Sequence, residues 1–475
     1  MKNFYITTTL PYVNSSPHIG FASEIVQADV LARFHRLYGD EVVFNTGTDE
    51  HGQKIFQVAQ ETGEDPQVYC DRFAGQFFAL KEMLNLSYTH FIRTTDAHHM
   101  KAAQEMWRRC DARGDIYKKN YRVKYCVGCE LEKTDSELVN GRCPLHPNRD
   151  LELIEEENYF FRFSKYQKPL LDLYEKYPDF VVPEKRFNEI KRFVEGGLED
   201  FSVSRLKSKM PWGVPVPGDE KHVMYVWFDA LTNYISTLGW PEDEKNFVDF
   251  WGSVPEPNAI QIAGKDNLRQ QSAMWQAMLL SADLPSSRQI FINGFITVDG
   301  QKMSKSLGNV IVPQEMVEKF GVDGARYLLL TMGAFGEDND LTWERMTERY
   351  NADLANGLGN LLSRVVTLAG DLPFDFGKIT FPVDDSWDRM ISHMDYGPLL
   401  GIVWMTVREA NRFVDEQKPW ELKKTDAEKF ESVMRKLLGD LFEVAHLLES
   451  FLPQTSEKMK RALETREKIA LFERV

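Results

Sequence analysis

The chain has 475 residues, of which 43% are hydrophobic and 27% are charged, and its formal net charge is −15. A chain of this length builds two to four domains with a large buried core. The acidic balance argues against general nucleic-acid binding but is compatible with a local basic face. No apolar run is long enough to span a bilayer, and Met1 leads directly into a strand pattern rather than a secretory signal. We therefore expect no membrane association and a cytoplasmic or organellar-matrix location.

The first part of the chain alternates predicted strands and helices. A β-prone run at 4–9 precedes a helix that Ser15 or Ser16 caps, with apolar residues at helical spacing. The next strand ends at Asp49, and a helix over about 52–60 follows it. This order predicts a right-handed parallel α/β unit, in which ligands lie beyond the carboxyl ends of the strands.

Between about 116 and 220 this alternation is interrupted by mixed strands and helices and by three of the five cysteines. The α/β pattern then resumes, with strands predicted at 223–228, 259–262 and 289–292 and helices at 230–238 and 267–280. After about 350 amphipathic patterns predict a helical bundle built from 350–369, 386–417 and 425–463. The predicted fold class is α/β, a split Rossmann-type parallel sheet with an insertion, followed by an all-α bundle.

Two short motifs, far apart in the sequence, suit a triphosphate. The run PHIG at 17–20 stands at a predicted helix start, where free N–H groups and the helix dipole favour phosphate. There His18 can donate to phosphate oxygens, and Gly20 leaves room for adenine. The run KMSKS at 302–306 carries two ammonium groups, and the chain has no Walker-type loop. Alone, the first motif is weakly specific and the second is moderately specific, but together they predict an ATP site. Its residues are His18, Gly20, Lys302, Ser304 and Lys305, with His18 and both lysines catalytic.

A cysteine–histidine constellation in the insertion has the spacing of a metal site. Cys126 and Cys129 form one Cys-x2-Cys pair, and Cys143 and His146 form a Cys-x2-His pair. Four such ligands in two short loops match a closed, tetrahedral structural zinc site rather than a catalytic one. The alternative is three free cysteines. We expect Gly128 to let backbone N–H groups turn toward the thiolates.

Other reactive side chains lack such spacing. Cys70 and Cys110 lie in helical patterns, so we expect buried thiols. An odd cysteine count without a secretory signal points to a reducing compartment. His98 and His99 have no spaced partner, and we expect them at the surface.

The two ATP motifs resemble those of class I aminoacyl-tRNA synthetases, and four more segments narrow the resemblance to the methionyl-tRNA synthetase family. These segments are LPYVN at 10–14, GTDEHG at 47–52, YVWFDA at 225–230 and GKD at 264–266. The resemblance implies that Asp49 pairs with the α-ammonium of methionine. It also implies an aromatic pocket for the thioether of methionine, and sulfur–aromatic contacts are favourable. Without the family resemblance, Trp227 would be interpreted as a core residue. The implied pocket residues are Leu10, Tyr12, Trp227, Ala230 and Tyr234.

Three positions depart from the family pattern. Phe21 stands where the first motif usually has a second histidine, so one phosphate donor is absent or replaced. Gln271 occupies a place where many relatives have histidine near the amino-acid pocket, and Asn267 replaces a common isoleucine. We expect Phe21→His to raise the adenylation rate or leave it unchanged.

The C-terminal helices contain three residues that suggest RNA binding. Asn360 and Arg364 are spaced i, i+4 and share a helix face, and Trp420 follows Pro419. An amide, a guanidinium and an aromatic ring can bind and stack on single-stranded bases. The trio is ordinary on composition alone; the resemblance implies that it reads the tRNA anticodon.

The resemblance implies a methionine–tRNA ligase that uses Mg²⁺ with ATP, one structural Zn²⁺ and tRNA(Met). No C-terminal dimerising domain is recognisable, which favours a monomer. One rival is a related enzyme for valine, leucine or isoleucine, which usually carries a larger editing insertion; another, motivated by Phe21, is a catalytically weakened tRNA-binding protein. The predicted segments are 1–115 and 221–300 for the two halves of the Rossmann catalytic domain, 116–220 for the insertion with its zinc knuckle, 301–349 for a stem-contact region with the lysine loop, and 350–475 for the anticodon-binding bundle.

Overall fold

The computed structural model describes residues 2–129, 131–133, 135–303, 308–376 and 385–475. The chain divides into two compact units. The first unit comprises the chain up to Ser16, Asp40–Ala79 and Tyr88–Ile292. The second unit comprises Pro17–Gly39, Leu80–Ser87 and Asn293–Val475.

Among the described residues, every strand lies before Leu341, and the rest of the chain is helical apart from connecting segments. The described strands are β1 Asn3–Thr7, β2 Glu41–Thr48, β3 His90–Arg93, β4 Ile116–Cys126, β5 Leu131–Lys133, β6 Glu152–Phe161, β7 Val181–Val182, β8 Phe201–Ser202, β9 Ser204–Leu206, β10 Pro215–Val216, β11 Asp219–Met224, β12 Ile260–Gly264, β13 Gln289–Asn293, β14 Ile296–Val298, β15 Gln301–Lys302 and β16 Asn339–Asp340. The described α-helices are α1 Ile19–Leu37, α2 Gln53–Thr62, α3 Pro66–Met83, α4 Ala97–Ala112, α5 Gln167–Lys176, α6 Glu184–Glu195, α7 Val226–Ala230, α8 Asn233–Ser236, α9 Glu244–Trp251, α10 Trp275–Ser281, α11 Pro313–Thr331, α12 Trp343–Arg349, α13 Asn360–Ala369, α14 Asp385–Ser392, α15 Tyr396–Gln417, α16 Pro419–Thr425, α17 Ala427–Leu447 and α18 Pro453–Thr465. Gln270–Met274 and Tyr350–Gly359 are π-helical.

The first unit is built on a six-stranded sheet with the order β3-β2-β1-β12-β13-β7. Strand β1 pairs in parallel with β2 and with β12, and β2 pairs in parallel with β3. Phe4, Tyr5, Ile6 and Thr7 of β1 are all buried, as expected for a strand covered on both faces. The parallel α/β fold predicted from the sequence is confirmed.

The strand predicted over 223–228 is confirmed only at 223–224. Strand β11 ends at Met224 and belongs to an antiparallel sheet with the order β10-β11-β9, while 226–230 form helix α7. The amide of Asp229 donates to the carbonyl of Tyr225, which starts the helical turn. A short apolar run such as 223–228 does not distinguish a buried strand from a buried helix by periodicity. Trp227 and Ala230 therefore lie on a helix.

Two predicted helices are also less regular than expected. The segment 230–238 contains the short helix α8, and 267–280 contains the π-helical turn that precedes α10. A large apolar core surrounds these elements, with Trp107, Phe228 and Trp275 among its buried residues. The irregular helices therefore sit in a well-packed interior.

The insertion carries its own antiparallel sheet, with the order β5-β4-β6-β8. Its two long strands, β4 and β6, pair from Ile116 opposite Phe161 to Tyr125 opposite Glu152. Cys126 is the last residue of β4. The sheet therefore holds the first cysteine at the end of a long, paired strand.

The second unit contains the small sheet β15-β14-β16 and the C-terminal helices. The predicted bundle is confirmed, but the helix predicted over 386–417 is broken after Ser392 and the one over 425–463 after Leu447. Helix α1 joins this unit through a buried ion pair between Asp29 and Arg326, 2.8 Å apart. Arg326 also donates to the carbonyl of Phe451, so α1, α11 and the α17–α18 turn share one buried guanidinium.

Candidate active site and metal centre

His18 is the N-cap of helix α1. Its backbone is extended, and its Nδ1 accepts a hydrogen bond of 3.0 Å from the amide of Gly20. The predicted caps, Ser15 and Ser16, are wrong, because the helix begins at Ile19. Since Nδ1 acts as an acceptor, the neutral imidazole carries its proton on Nε2. That tautomer is the one that can donate to a phosphate oxygen.

Gly20 is a close-approach position. A Cβ atom on it would lie 2.7 Å from Cε1 of His18 and 3.8 Å from Cε of Met303. Glycine is therefore needed for the His18 ring to fold back and cap the helix. The second distance places Met303, in the described start of the lysine loop, beside the start of α1.

The lysine loop is described only in part. The ammonium of Lys302 lies 4.5 Å from the ring centroid of Phe295. The predicted ATP ligands Ser304 and Lys305 lie outside the described residues. Phe21 is only 8% exposed, so its ring packs in the interior.

Asp49 lies immediately after β2 in the first unit, where the sequence predicts a ligand partner. It forms a parallel β-bridge with Tyr12, and the amide of Val13 donates to its carbonyl at 3.2 Å. Only 2% of Asp49 is exposed. The backbone therefore holds a buried carboxylate next to the first aromatic residue of the predicted pocket.

Tyr12 and Trp227 form an aromatic corner. Their ring centroids are 6.4 Å apart and their planes meet at 74°, an edge-to-face arrangement. The indole N–H of Trp227 is buried without a hydrogen-bond partner among the described residues. Ala230 and Tyr234 are buried and Leu10 is half-buried. The structure thus brings Tyr12, Asp49 and Trp227 together in one unit.

Gln271 is connected to the same region through Tyr234. The Tyr234 hydroxyl donates to Oε1 of Gln271 at 3.0 Å, and Nε2 of Gln271 is buried without a partner among the described residues. Gln271 lies on the π-helical turn, whereas Asn267 is half-buried at the end of the preceding 3₁₀ turn. Gln271 therefore orients the Tyr234 hydroxyl.

Glu50, next to Asp49, is an anchor that the sequence did not reveal. Arg93 at the end of β3 binds it through two hydrogen bonds, of 2.6 and 2.9 Å. Thr48 and Thr95 also donate to its carboxylate. A two-point guanidinium–carboxylate pair is geometrically specific, so these contacts hold the strand end that presents Asp49.

A second anchor is a buried chain of polar groups around Asp229. His51 Nδ1 lies 2.7 Å from Oδ2 of Asp229, and His99 Nε2 lies 3.0 Å from Oδ1. His99 Nδ1 contacts the Ser236 hydroxyl at 2.9 Å. Burial alone would raise the pKa of the Asp229 carboxyl, but the charge of His51 and the hydrogen bonds from both histidines lower it to about 2.

The expected surface position of His99 is wrong, because its side chain is fully buried, whereas His98 is exposed. A signal for this was present in the sequence. His99 precedes Ala102 and Ala103 at helical spacing, on the face of α4 that is buried.

The predicted metal ligands converge. The ligand atoms of Cys126, Cys129, Cys143 and His146 lie within 4.8 Å of one another. The sulfurs of Cys129 and Cys143 are 3.8 Å apart, and Cys126 Sγ is 3.7 Å from Nδ1 of His146. Thiolates bound to zinc at about 2.3 Å in a tetrahedron are separated by roughly 3.8 Å. The four residues therefore fit one tetrahedral metal ion.

The role of Gly128 in this cluster differs from the expectation. A Cβ atom there would lie 2.5 Å from Cγ of His146, so glycine makes room for the ligand ring. Cys70 and Cys110 are buried as expected, and burial raises the pKa of Cys110 to about 12. Neither belongs to the cluster.

The structure brings two of the three predicted anticodon residues into contact. The guanidinium of Arg364 lies 5.8 Å from the Trp420 ring centroid and donates to Asp415 at 2.8 Å. Trp420 is 40% exposed, and Asn360 is exposed at the start of α13. A stacking surface and an amide are thus available on the helical unit.

A family model described as tRNA synthetases class I (M) matches residues 4–152 and 137–366. The fold and the motifs accordingly define a class I aminoacyl-tRNA synthetase. The methionine–tRNA ligase of Thermotoga maritima is 41% identical over 98% of this chain and 76% of its own length. That of Brucella suis is 42% identical over 96% of this chain and 91% of its own length. This chain belongs to the methionyl-tRNA synthetase family.

Two solved structures of a methionyl-tRNA synthetase match the fold of this chain. Mycobacterium tuberculosis methionyl-tRNA synthetase in complex with methionyl-adenylate matches with a TM-score of 0.90 and 37% identity, over 97% of this chain and 93% of that chain. The free form of the same enzyme matches with a TM-score of 0.81 and 35% identity, over 97% of this chain and 91% of that chain.

Within the described ranges, no helix has both the length and the apolar character needed to cross a membrane.

Proposed function

We propose that this chain is a methionine–tRNA ligase with the following division of labour. A carboxylate oxygen of methionine attacks the α-phosphorus of ATP, and the bond to pyrophosphate breaks. A hydroxyl of the terminal ribose of tRNA(Met) then attacks the methionyl carbonyl, and AMP leaves. The two halves of the Rossmann domain carry out catalysis, the insertion binds the metal, and the C-terminal bundle binds the anticodon.

The observation that carries this proposal is the β-bridge between Tyr12 and Asp49. It sets a buried carboxylate, suited to an α-ammonium, directly beside an aromatic corner suited to a thioether. Leu10, Trp227, Ala230 and Tyr234 complete the pocket for the methionine side chain.

The triphosphate is bound by His18, Gly20, Lys302, Ser304 and Lys305. The Nε2 proton of His18 and the two ammonium groups meet the negative charge that develops on the transferring and leaving oxygens. This donor and these cations accelerate the reaction because they bind the transition state more strongly than the ground state. Mg²⁺ accompanies ATP as its counter-ion.

The metal of the cysteine cluster is Zn²⁺ in a structural role, because Cys126, Cys129, Cys143 and His146 supply four ligands and leave no position for substrate. Asn360, Arg364 and Trp420 bind the anticodon of tRNA(Met). The bacterial relatives support a cytoplasmic enzyme, which we propose acts as a monomer.

The test is ATP–pyrophosphate exchange with methionine, valine, leucine and isoleucine in turn. We expect exchange that depends on methionine. Lys305→Ala should lower the rate about 10²-fold. Exchange with one of the branched amino acids would identify the related-enzyme rival. Binding of tRNA without any exchange would identify a catalytically weakened RNA-binding protein.

The anticodon assignment has a separate test. Arg364→Ala should impair charging of tRNA(Met) while methionine-dependent exchange continues, since exchange does not use tRNA. An equal loss of both activities would contradict the assignment.

A further inference from the structure

Three residues of the proposed methionine pocket lie on one helical face in the first unit. Trp227, Ala230 and Tyr234 are spaced i, i+3 and i+7, and the backbone between helices α7 and α8 stays helical. Trp227 is partly exposed, whereas Ala230 is 6% exposed and Tyr234 only 3%. The pocket therefore runs from a partly open end at Trp227 to a closed end at Tyr234.

Gln271 forms the closed end of this face. Its Oε1 accepts a hydrogen bond of 3.0 Å from the Tyr234 hydroxyl, whereas its Nε2 is buried without a partner among the described residues. The two polar atoms of one amide are about 2.2 Å apart, so Nε2 lies within roughly 5 Å of the Tyr234 hydroxyl. Gln271 therefore has two N–H donors that no described group of the protein satisfies.

Specific contacts fix the backbone that carries this amide. Nε2 of Gln276 donates to the carbonyl of Gln271 at 3.1 Å and to the Ser287 hydroxyl at 3.0 Å. The Tyr174 hydroxyl donates to the carbonyl of Ser272, the next residue of the π-helical turn, at 2.6 Å. Single π-helical turns are frequent at functional sites. The two donors of Gln271 therefore have a defined position relative to the pocket.

The donors at this end match an oxygen better than a thioether. Sulfur in a thioether is a weak acceptor, and burial makes an unsatisfied N–H costly. The indole N–H of Trp227 is a second buried donor without a partner among the described residues. Gln271 stands where many relatives have histidine, whose neutral ring has only one N–H. Methionine sulfoxide keeps the methionine chain and adds a polar oxygen on sulfur.

We propose that Gln271 widens the specificity of the pocket to side chains that carry an oxygen acceptor, so that this enzyme activates methionine sulfoxide in addition to methionine. An N–H of Gln271 donates to the sulfoxide oxygen, and the rest of the side chain lies along the Trp227–Tyr234 face. The carboxylate of the sulfoxide attacks the α-phosphorus of ATP, pyrophosphate leaves, and the S–O bond is unchanged. This inference rests on the proposed function and extends its substrate class.

The test is ATP–pyrophosphate exchange by the full chain with methionine and, separately, with each of the two sulfoxide epimers. Gln271→Leu removes the donors and the acceptor for Tyr234. Gln271→Glu, in its ionised form, keeps an acceptor for Tyr234 but has no donor. Gln270→Leu changes the neighbouring buried amide of the same π-helical turn and is the matched control. Mass spectrometry of the adenylate distinguishes the sulfoxide product from that of contaminating methionine.

We expect wild type to activate one sulfoxide epimer about tenfold better than the other, because a fixed donor matches one configuration at sulfur. Both Gln271 variants should lower the sulfoxide-to-methionine ratio of kcat/KM about tenfold, as expected for the loss of one hydrogen bond. They should also reduce the preference between epimers. Gln270→Leu should keep the wild-type ratio and preference.

The outcomes separate the two proposals. Wild-type exchange with methionine but with neither epimer would overturn the inference and leave the proposed function intact. Exchange with neither amino acid would remove the proposed function and the inference with it. Equal losses of kcat/KM for methionine and sulfoxide in the Gln271 variants would assign Gln271 to the orientation of Tyr234 alone and overturn the inference. Melting temperatures of the variants establish that each is folded, and the epimer preference of wild type is a test that needs no variant.

Discussion

The imidazole of His51 and the carboxylate of Asp229 are 2.7 Å apart in the interior of the first unit, although they are 178 positions apart in the chain. His51 lies two residues after Asp49, and Asp229 lies on the short helix that carries Trp227 and Ala230. This contact therefore ties the proposed ammonium partner to the proposed thioether pocket. The contact joins the GTDEHG segment to the YVWFDA segment, so both segments contribute to the same proposed pocket.

Asp229→Asn should separate positioning from chemistry. The amide keeps the shape but loses the negative charge, and it cannot accept hydrogen bonds from both histidines through equivalent oxygens. We expect the KM for methionine to rise about tenfold, roughly 1.4 kcal/mol, with much smaller changes in kcat and in the KM for ATP. Steady-state exchange kinetics measure all three. Asp249→Asn, at a partly exposed position of helix α9, is the matched control. Equal increases in the KM for methionine and the KM for ATP would argue against a positioning role.

Acid stability should depend on the same carboxylate. The pKa of Asp229 is lowered from 3.8 to about 2 in the folded chain. Its ionised form therefore contributes stability that is fully present above about pH 4 and is lost as the pH falls through 2. The contribution is about 2 kcal/mol. When urea unfolding is measured between these two pH values, the free energy of unfolding should fall less steeply with decreasing pH for Asp229→Asn than for wild type. Parallel curves of this free energy against pH would exclude the contribution.

His18 combines two roles that substitutions can separate. His18→Ala removes both the cap and the Nε2 donor, whereas asparagine restores a good cap without that donor. We expect exchange to fall about 10²-fold in both variants. Only the alanine variant should lose stability, by about 1 kcal/mol. Thermal unfolding and exchange rates provide the comparison; wild-type exchange in His18→Asn would refute the donor role.

Phe21→His should not improve the enzyme. The family pattern suggests that a histidine here adds a phosphate donor, but the Phe21 ring is buried. Placing an imidazole there costs about 2 kcal/mol unless a partner is found. We expect a lower melting temperature and no faster adenylation, measured by pre-steady-state adenylate formation. A faster rate at unchanged stability would show that the ring position is open to the substrate.

The metal cluster predicts one zinc ion per chain. Cys143→Ser should reduce the bound zinc from about one equivalent toward zero and lower the melting temperature, because metal binding contributes to folding free energy. Elemental analysis of the purified chain measures the stoichiometry. Cys110→Ala, at a buried position of helix α4 outside the cluster, should retain the metal. A metal-free wild-type chain that unfolds at the same temperature with and without added zinc would contradict the assignment.

Local patterns in the sequence determined much of this protein. The spacing of Cys126, Cys129, Cys143 and His146 predicted their convergence, and strand–helix alternation predicted the parallel sheet. Both signals are short-range, because a metal knuckle and a helical or strand period are encoded within a few turns of chain. The position of Asp49 just beyond β2 followed from the same logic.

Only the tertiary structure decided which polar groups are buried and what they contact. His99 has no spaced partner in the sequence, yet it meets Asp229 across 130 positions. The ring of Phe472 likewise meets that of Tyr350, more than 100 positions earlier in the chain, at a centroid distance of 5.9 Å. Such pairings depend on long-range packing, in which burial makes each unsatisfied polar group costly. Periodicity along the chain therefore identifies faces and motifs, and packing selects their partners.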